Sequence, residues 1–225
     1  MRYLLLVFAV VVSNTANCQQ DSTGQERTNR PNVRAWIVPT GIVASTTIDG
    51  EMREWALHTH SRKLDHLAHT VNPLGTAHVL VPAMAVFYAG SLVAHRASAE
   101  SAAVKIAVAY AAADIVESVL KSIIGRQRPF VTGNSHRFHA FSGNGDWHSF
   151  PSAHVAHIAA IAEAVSMQTT SRSLAGLFDG LVGLVGWDRV YEDQHWTSDV
   201  TATIALSALV SRVAVNWFES RYGRP

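Results

Sequence analysis

From Ala35 to the C-terminus the chain is a succession of long apolar stretches, many rich in alanine, and no segment alternates apolar and polar residues for long enough to make a strand. Apolar positions recurring every three to four residues predict helices over 34–47, 51–70 (with room for a break inside it), 76–95, 99–124, 153–168, 173–188 and 196–219. Helices without a sheet to cover can bury their apolar faces only against one another, so the expected fold class is all-α. At 225 residues, 48% of them hydrophobic, the chain is long enough for one domain with a sizeable core. A formal charge of +1 argues against a nucleic-acid partner.

The N-terminus has a different composition. Arg2 is followed by a short apolar core from Leu4 to Val12 and then by small and polar residues, which reads as a signal peptide over 1–18. Its removal would leave equal numbers of basic and acidic residues, and no cysteine, since Cys18 is the only one. Cys18 also raises a lipidated N-terminus, although the preceding Asn17 is larger than such signals favour. Residues 19–33 are polar and contain Gly and Pro; they are expected to be a flexible tether ahead of a helical domain over 34–222.

Three separated segments carry the chemistry: Lys121-Ser-Ile-Ile-Gly-Arg-Gln-Arg128-Pro129, Pro151-Ser152-Ala153-His154, and Arg189-Val-Tyr-Glu-Asp-Gln-His195-Trp-Thr-Ser-Asp199. A phosphoryl group in transfer spreads charge over three oxygens, and a protein's main task is to position and neutralise it. Arg128 and Arg189 offer planar forks for that purpose and Lys121 a point charge. Lys121 and Arg128 would share one face of a continuous helix, but Gly125 and Pro129 predict that the helix frays between them. Ser152 is a good N-cap for the helix that follows, whose first N–H groups make an anion site with His154 beside it. His195 and Asp199, four apart, would be neighbours on a helix face, the carboxylate fixing the imidazole tautomer. Taken singly, each segment also has a plain structural reading: a basic helix end, a capped helix, a surface ion pair. His58, His60, His66 and His69 cluster without matched ligand geometry and are read as a polar helix surface, so no metal site is assigned.

The ordered set resembles the type 2 phosphatidic acid phosphatase / vanadium haloperoxidase superfamily, whose pattern is Lys-x6-Arg-Pro, then Pro-Ser-Gly-His, then Ser-Arg-x5-His-x3-Asp. The first segment matches in full; Ala153 replaces the family's Gly and Asp188 its Ser. The resemblance implies an all-α bundle of the acid phosphatase/haloperoxidase type. It implies His195 as nucleophile, Asp199 orienting it, and His154 as general acid and base. Lys121, Arg128, Ser152, Arg189 and the N–H of Ala153 would bind phosphate. Ala enters a positive-φ conformation less cheaply than Gly, and Asp188 would either orient Arg189 or compete with phosphate for it.

The first reading is therefore an exported, metal-independent phosphatase of phosphomonoesters or lipid phosphates and diphosphates, working through a phosphohistidine, needing no cofactor and inhibited by vanadate. One alternative is a haloperoxidase with vanadate as cofactor; another, motivated by Ala153 and Asp188, is a non-catalytic phospholipid-binding member. The long connection over 125–151 is expected to line the pocket mouth, its Phe130, Phe138, Phe141 and Trp147 serving either a substrate tail or the core. Thr76–Ala94 has no formal charge and is long enough to span a bilayer, but His78 and Pro82 interrupt it. The other helices carry charges, which favours an envelope-facing soluble or peripheral bundle over an integral one.

Overall fold

The computed structural model describes residues 44–223. The predicted leader, tether and most of the first helix lie outside them; residues 44–47 are helical. Seven further helices follow: α1 (Asp49–His58), α2 (Arg62–Val71), α3 (Ala77–Val93), α4 (Ala97–Ile124), α5 (Ala153–Gln168), α6 (Arg172–Tyr191) and α7 (Thr197–Tyr222). Short 3-10 turns cover Asn72–Gly75, Pro129–Val131 and Gly145–Trp147.

Local chemistry explains most boundaries. The helix expected over 51–70 is two helices, broken where Ser61 turns extended and its hydroxyl caps the N–H of Leu64 at 3.4 Å. Ser171 caps α6 in the same way, accepting from Leu174 at 3.3 Å. Helix α4 stops at Gly125, which takes φ +59° and returns its N–H to the Lys121 carbonyl at 3.1 Å. A Cβ there would also lie 1.9 Å from the His139 carbonyl oxygen, so glycine is required twice over. The 125–151 connection then folds back on itself, with Gln127 N–H donating to Arg137 O (3.0 Å) and His139 N–H to Gly125 O (2.7 Å).

Helix α5 is the central element. Every residue from Val155 to Ala164 is buried, and α4, α6 and α7 pack around it. Its alanines let those neighbours approach closely, while Val155 and Ile158 meet Val182, Val185, Val200 and Ile204 on one side. On the other, Ile161 and Ala164 meet Ile106, Ala109, Tyr110 and Val215. Fully burying one Val or Ile contributes about 1.5–3 kcal/mol, so this helix anchors the bundle.

The outside of the bundle departs from the expected polar surface. Helix α3 has no charged residue and is exposed along most of its length, with Val86 at 72% and Val93 at 82%. Ile115, Val119 and Ile123 make an exposed stripe on α4, and Leu209, Val213 and Trp217 another on α7. By length and composition α7 is apolar enough to cross a bilayer, with half of its most apolar stretch buried inside the protein. The charged residues read as marks of a soluble bundle, Lys105, Glu117 and Asp179 among them, turn inward or into ion pairs and leave the outward faces apolar.

Candidate active site

The three sequence segments converge at one end of α5. Lys121 lies in the last turn of α4, and Arg128 follows the Gly125 reversal in extended backbone rather than on the same helix face. Ser152 is the residue before α5 and His154 lies in its first turn. Arg189 is in the last turn of α6, which runs three residues beyond its expected end, and His195 lies in the link to α7. His154 and His195 both feel the charges of Lys121, Arg128 and Arg189.

Asp199 does not hold His195 in the way the i,i+4 spacing predicts. That spacing presumes one helix, but α7 begins at Thr197, so His195 precedes it. The His195 Nδ1 is 2.5 Å from the carbonyl oxygen of Ser149 instead. Asp199 accepts the Ser149 hydroxyl at 2.5 Å and the Trp196 N–H at 3.0 Å, and pairs with Arg126 at 2.5 Å. Arg126 also pairs with Asp49 at 2.8 Å and donates to the Ser198 hydroxyl. Read from sequence as part of a basic helix end, Arg126 is a buried strut between two carboxylates. Removing one partner of such a pair strands a charge, which costs about 3–5 kcal/mol.

A carbonyl only accepts, so Nδ1 of His195 carries the proton and Nε2 carries the free lone pair. Burial, then Arg128 and Lys121, push the imidazole well below its usual titration range. His195 is therefore a neutral imidazole among cations.

Those cations are held differently. Arg128 donates to Gly145 O (3.1 Å) and to the carbonyl and side-chain oxygens of Gln194 (3.3 and 3.0 Å), and among the described residues it has no carboxylate partner. Burial and the like charge of Arg189 destabilise its charged form, so an arriving anion relieves both. Arg189 lays Nε and Nη2 on Asp188 (2.8 and 2.5 Å), and Nη2 also reaches Asn72 (2.8 Å). Asp188 thus orients the guanidinium and leaves Nη1 uncommitted. Lys121 is paired with Glu117 one turn earlier.

Ser152 stands at the N-cap position but makes no capping bond; its hydroxyl is buried without a partner, and its N–H donates to Thr203 at 3.0 Å. A buried unpaired hydroxyl beside a helix N-terminus suits a phosphate oxygen. Ala153 opens the helix and is not in the positive-φ region, so its replacement of glycine carries no backbone strain.

His154 is pushed down to about 3, by burial first and then by Arg189, His157, Lys121 and Arg128. Gly75 lies against it: a Cβ at Gly75 would sit 2.6 Å from the His154 Cβ. The same turn fixes its surroundings, since Gly75 O is 3.1 Å from His157 Nδ1, while His157 Nε2 meets Asp114 at 2.8 Å. On the 125–151 connection, Phe130, Phe138 and Phe141 are exposed, at 48%, 55% and 79%, so the core-packing reading does not apply to them. The leading histidines lie elsewhere: His58 Nδ1 meets the Glu54 carbonyl, and His60 meets Asp65 and stacks on Tyr191.

Sequence reasoning missed Asp49, Asn72, Gly75, Arg126, Ser149 and Gln194 as parts of the site. Gln194 and Ser149 adjoin the motif segments and Arg126 lies inside one, so proximity was a usable signal. Asn72 and Gly75 stand some fifty residues upstream of Lys121, and no local pattern marks them.

A family model described as PAP2 superfamily matches residues 102–222. Among curated proteins there is no significant sequence match. Two solved structures are similar. One is the transmembrane PAP2 type phosphatidylglycerolphosphate phosphatase from Bacillus subtilis, with TM-score 0.57 and 18% identity, covering 99% of this chain and 96% of that one. The other is LpxE from Aquifex aeolicus, with TM-score 0.60 and 18% identity, covering 74% of this chain and 93% of that one.

Proposed function

The chain belongs to the PAP2 superfamily, and on that premise we propose that it is a membrane-associated hydrolase of lipid phosphates, working through a phosphohistidine on His195. The observation that carries this reading is a neutral imidazole with a committed Nδ1 and an open Nε2, set among Lys121, Arg128 and Arg189. The phosphatase neighbours support phosphoric ester hydrolysis as the reaction.

The cycle has two in-line transfers. His195 Nε2 attacks phosphorus, and the bond to the leaving oxygen breaks as His154 donates its proton to that oxygen. Water then attacks the phosphohistidine, neutral His154 takes the water proton, and the P–N bond breaks to release phosphate. Arg128, Arg189 Nη1, Lys121, the Ser152 hydroxyl and the first N–H groups of α5 neutralise the equatorial oxygens. Before substrate binds, burial and then the same cations hold His154 neutral. A bound dianion offsets the cations and raises the proton affinity of His154, which favours its acid role.

A lipid substrate suits the surroundings of the site. Phe130, Phe138 and Phe141 give the connection between the motif segments exposed apolar side chains, and α3 and the α4 stripe present apolar outer faces. The signal-peptide reading of residues 1–18 supports export to the envelope.

The test is phosphate release from phosphatidate, an isoprenyl diphosphate and a soluble aryl phosphate, by protein purified in detergent, with acid-quenched trapping of phosphoenzyme. Lipid phosphates are expected to be the preferred substrates, with label on His195. Absence of phosphoenzyme alongside full activity in His195→Ala would sink the mechanism.

A further inference from the structure

We propose that Ser149 is the positioning residue of the nucleophile, the joint through which Asp199 acts on His195. This rests on the phosphohistidine reading above. Ser149 is fully buried and uses every polar group it has. Its N–H donates to the Arg126 carbonyl at 3.0 Å, its hydroxyl to Asp199 Oδ2 at 2.5 Å, and its carbonyl faces His195 Nδ1 at 2.5 Å. Among the described residues no hydrogen bond joins Asp199 to His195; the carboxylate reaches the imidazole by holding the residue that holds it.

The anchor behind Ser149 is built to stay put. Asp199 is clamped by Arg126 and by the N–H of Trp196, and Arg126 is clamped in turn by Asp49. Asp49 also accepts the N–H and hydroxyl of Ser198 at 2.8 and 2.6 Å. Asp49 from α1, Arg126 from the α4–α5 connection, Trp196 just before α7, and Ser198 and Asp199 within α7 thus form one network that holds Ser149. A carbonyl so fixed does two things for attack. It forces the proton onto Nδ1, which leaves the lone pair on Nε2, and it stabilises the imidazolium that forms when Nε2 bonds to phosphorus. The Asp199 charge lies behind the same peptide and favours that cation too.

Ser149→Ala keeps the carbonyl but releases the hydroxyl anchor, and Ser149→Thr retains the anchor. In rapid-quench experiments on an activated aryl phosphate, the burst amplitude reports the folded active fraction and the burst rate reports attack. Ser149→Ala is expected to slow the burst at least tenfold, with KM changed less than about twofold; Ser149→Thr should recover most of the rate. The second measurement is the 15N spectrum of the His195 ring in the detergent-solubilised wild-type chain. It should show a protonated Nδ1 and an unprotonated Nε2 at neutral pH. Equal burst rates in Ser149→Ala and wild type overturn the proposal, as does a wild-type ring with its proton on Nε2. If the wild type forms no phosphoenzyme, the phosphohistidine reading fails instead, and the tautomer still decides how the ring is held. Should Ser149→Ala not fold, the tautomer and the Ser149→Thr rate carry the test, a Thr rate below one-tenth of wild type at full burst amplitude counting against it.

Discussion

Gly75→Ala should cripple the enzyme's proton transfer through His154 without replacing any residue assigned to phosphate binding. Gly75 sits in the turn before α3, outside the positive-φ region, so alanine is conformationally admissible and the effect is purely steric. The new Cβ would lie 2.6 Å from His154 Cβ and 3.0 Å from both its Cα and its Cδ2. Carbon atoms pack at about 3.5–4.0 Å, so the gap must open by about 1 Å. The turn cannot simply retreat, because Gly75 O is tied to His157, which is tied to Asp114. The His154 side chain and the first turn of α5 must move instead. Overpacking of this kind costs about 1–3 kcal/mol of stability, which leaves a folded bundle. A misplacement of about 1 Å costs on the order of 10²-fold in rate where geometry controls the step. The assay is kcat/KM for a series of phosphate esters whose leaving groups span a wide pKa range, with melting temperature as the control. The loss should approach 100-fold on alkyl esters and shrink to a few-fold on activated aryl esters, which need little protonation. Activity on alkyl esters within about threefold of wild type would refute the steric argument. An equal loss on both ester classes would show that the displaced group is not the proton donor.

The histidines themselves should divide labour in the same series: His195→Ala abolishes turnover on every ester, whereas His154→Ala loses about 10²–10⁴-fold on poor leaving groups and less on good ones. Stability of the empty protein should fall with acid. The His154 and His195 values are depressed in the folded state, so below the unfolded value of about 6.5 the unfolded chain binds protons that the folded one refuses. For His154 this loss continues down to about 3, and saturating phosphate should flatten it in melting curves taken across that range. Ala153→Gly should not raise turnover, because Ala153 already has ordinary helical backbone; a loss of up to about 1 kcal/mol in denaturant melts is the expected cost. Activity should survive EDTA and be blocked by vanadate, and restoration by a divalent cation after chelation would count against charge neutralisation by Lys121, Arg128 and Arg189 alone.

Periodicity and motif spacing sufficed for the all-α class, for α3 to α7 to within a few residues, and for picking out the three motif segments. They sufficed because those features are local or carried by a resemblance: a 3.6-residue repeat is written along the chain, and Lys121, Arg128, His154, Arg189 and His195 each belong to a recognisable segment. What spacing could not deliver was who bonds to whom. The His195–Asp199 pairing failed because a four-residue step means contact only inside a helix, and the start of α7 at Thr197 places His195 outside one. The partners actually used come from segments far away in the chain: Asp49 for Arg126, Asn72 for Arg189, Gly75 against His154, Ser149 for His195. The character of the surface was equally a tertiary matter. Charges counted along the sequence read as a soluble bundle, yet folding turns Lys105 and Glu117 into ion pairs and leaves α3 and the α4 stripe as apolar outer faces. A charge repels lipid only where it faces outward, and which way a side chain faces is settled by packing against α5, not by its place in the sequence.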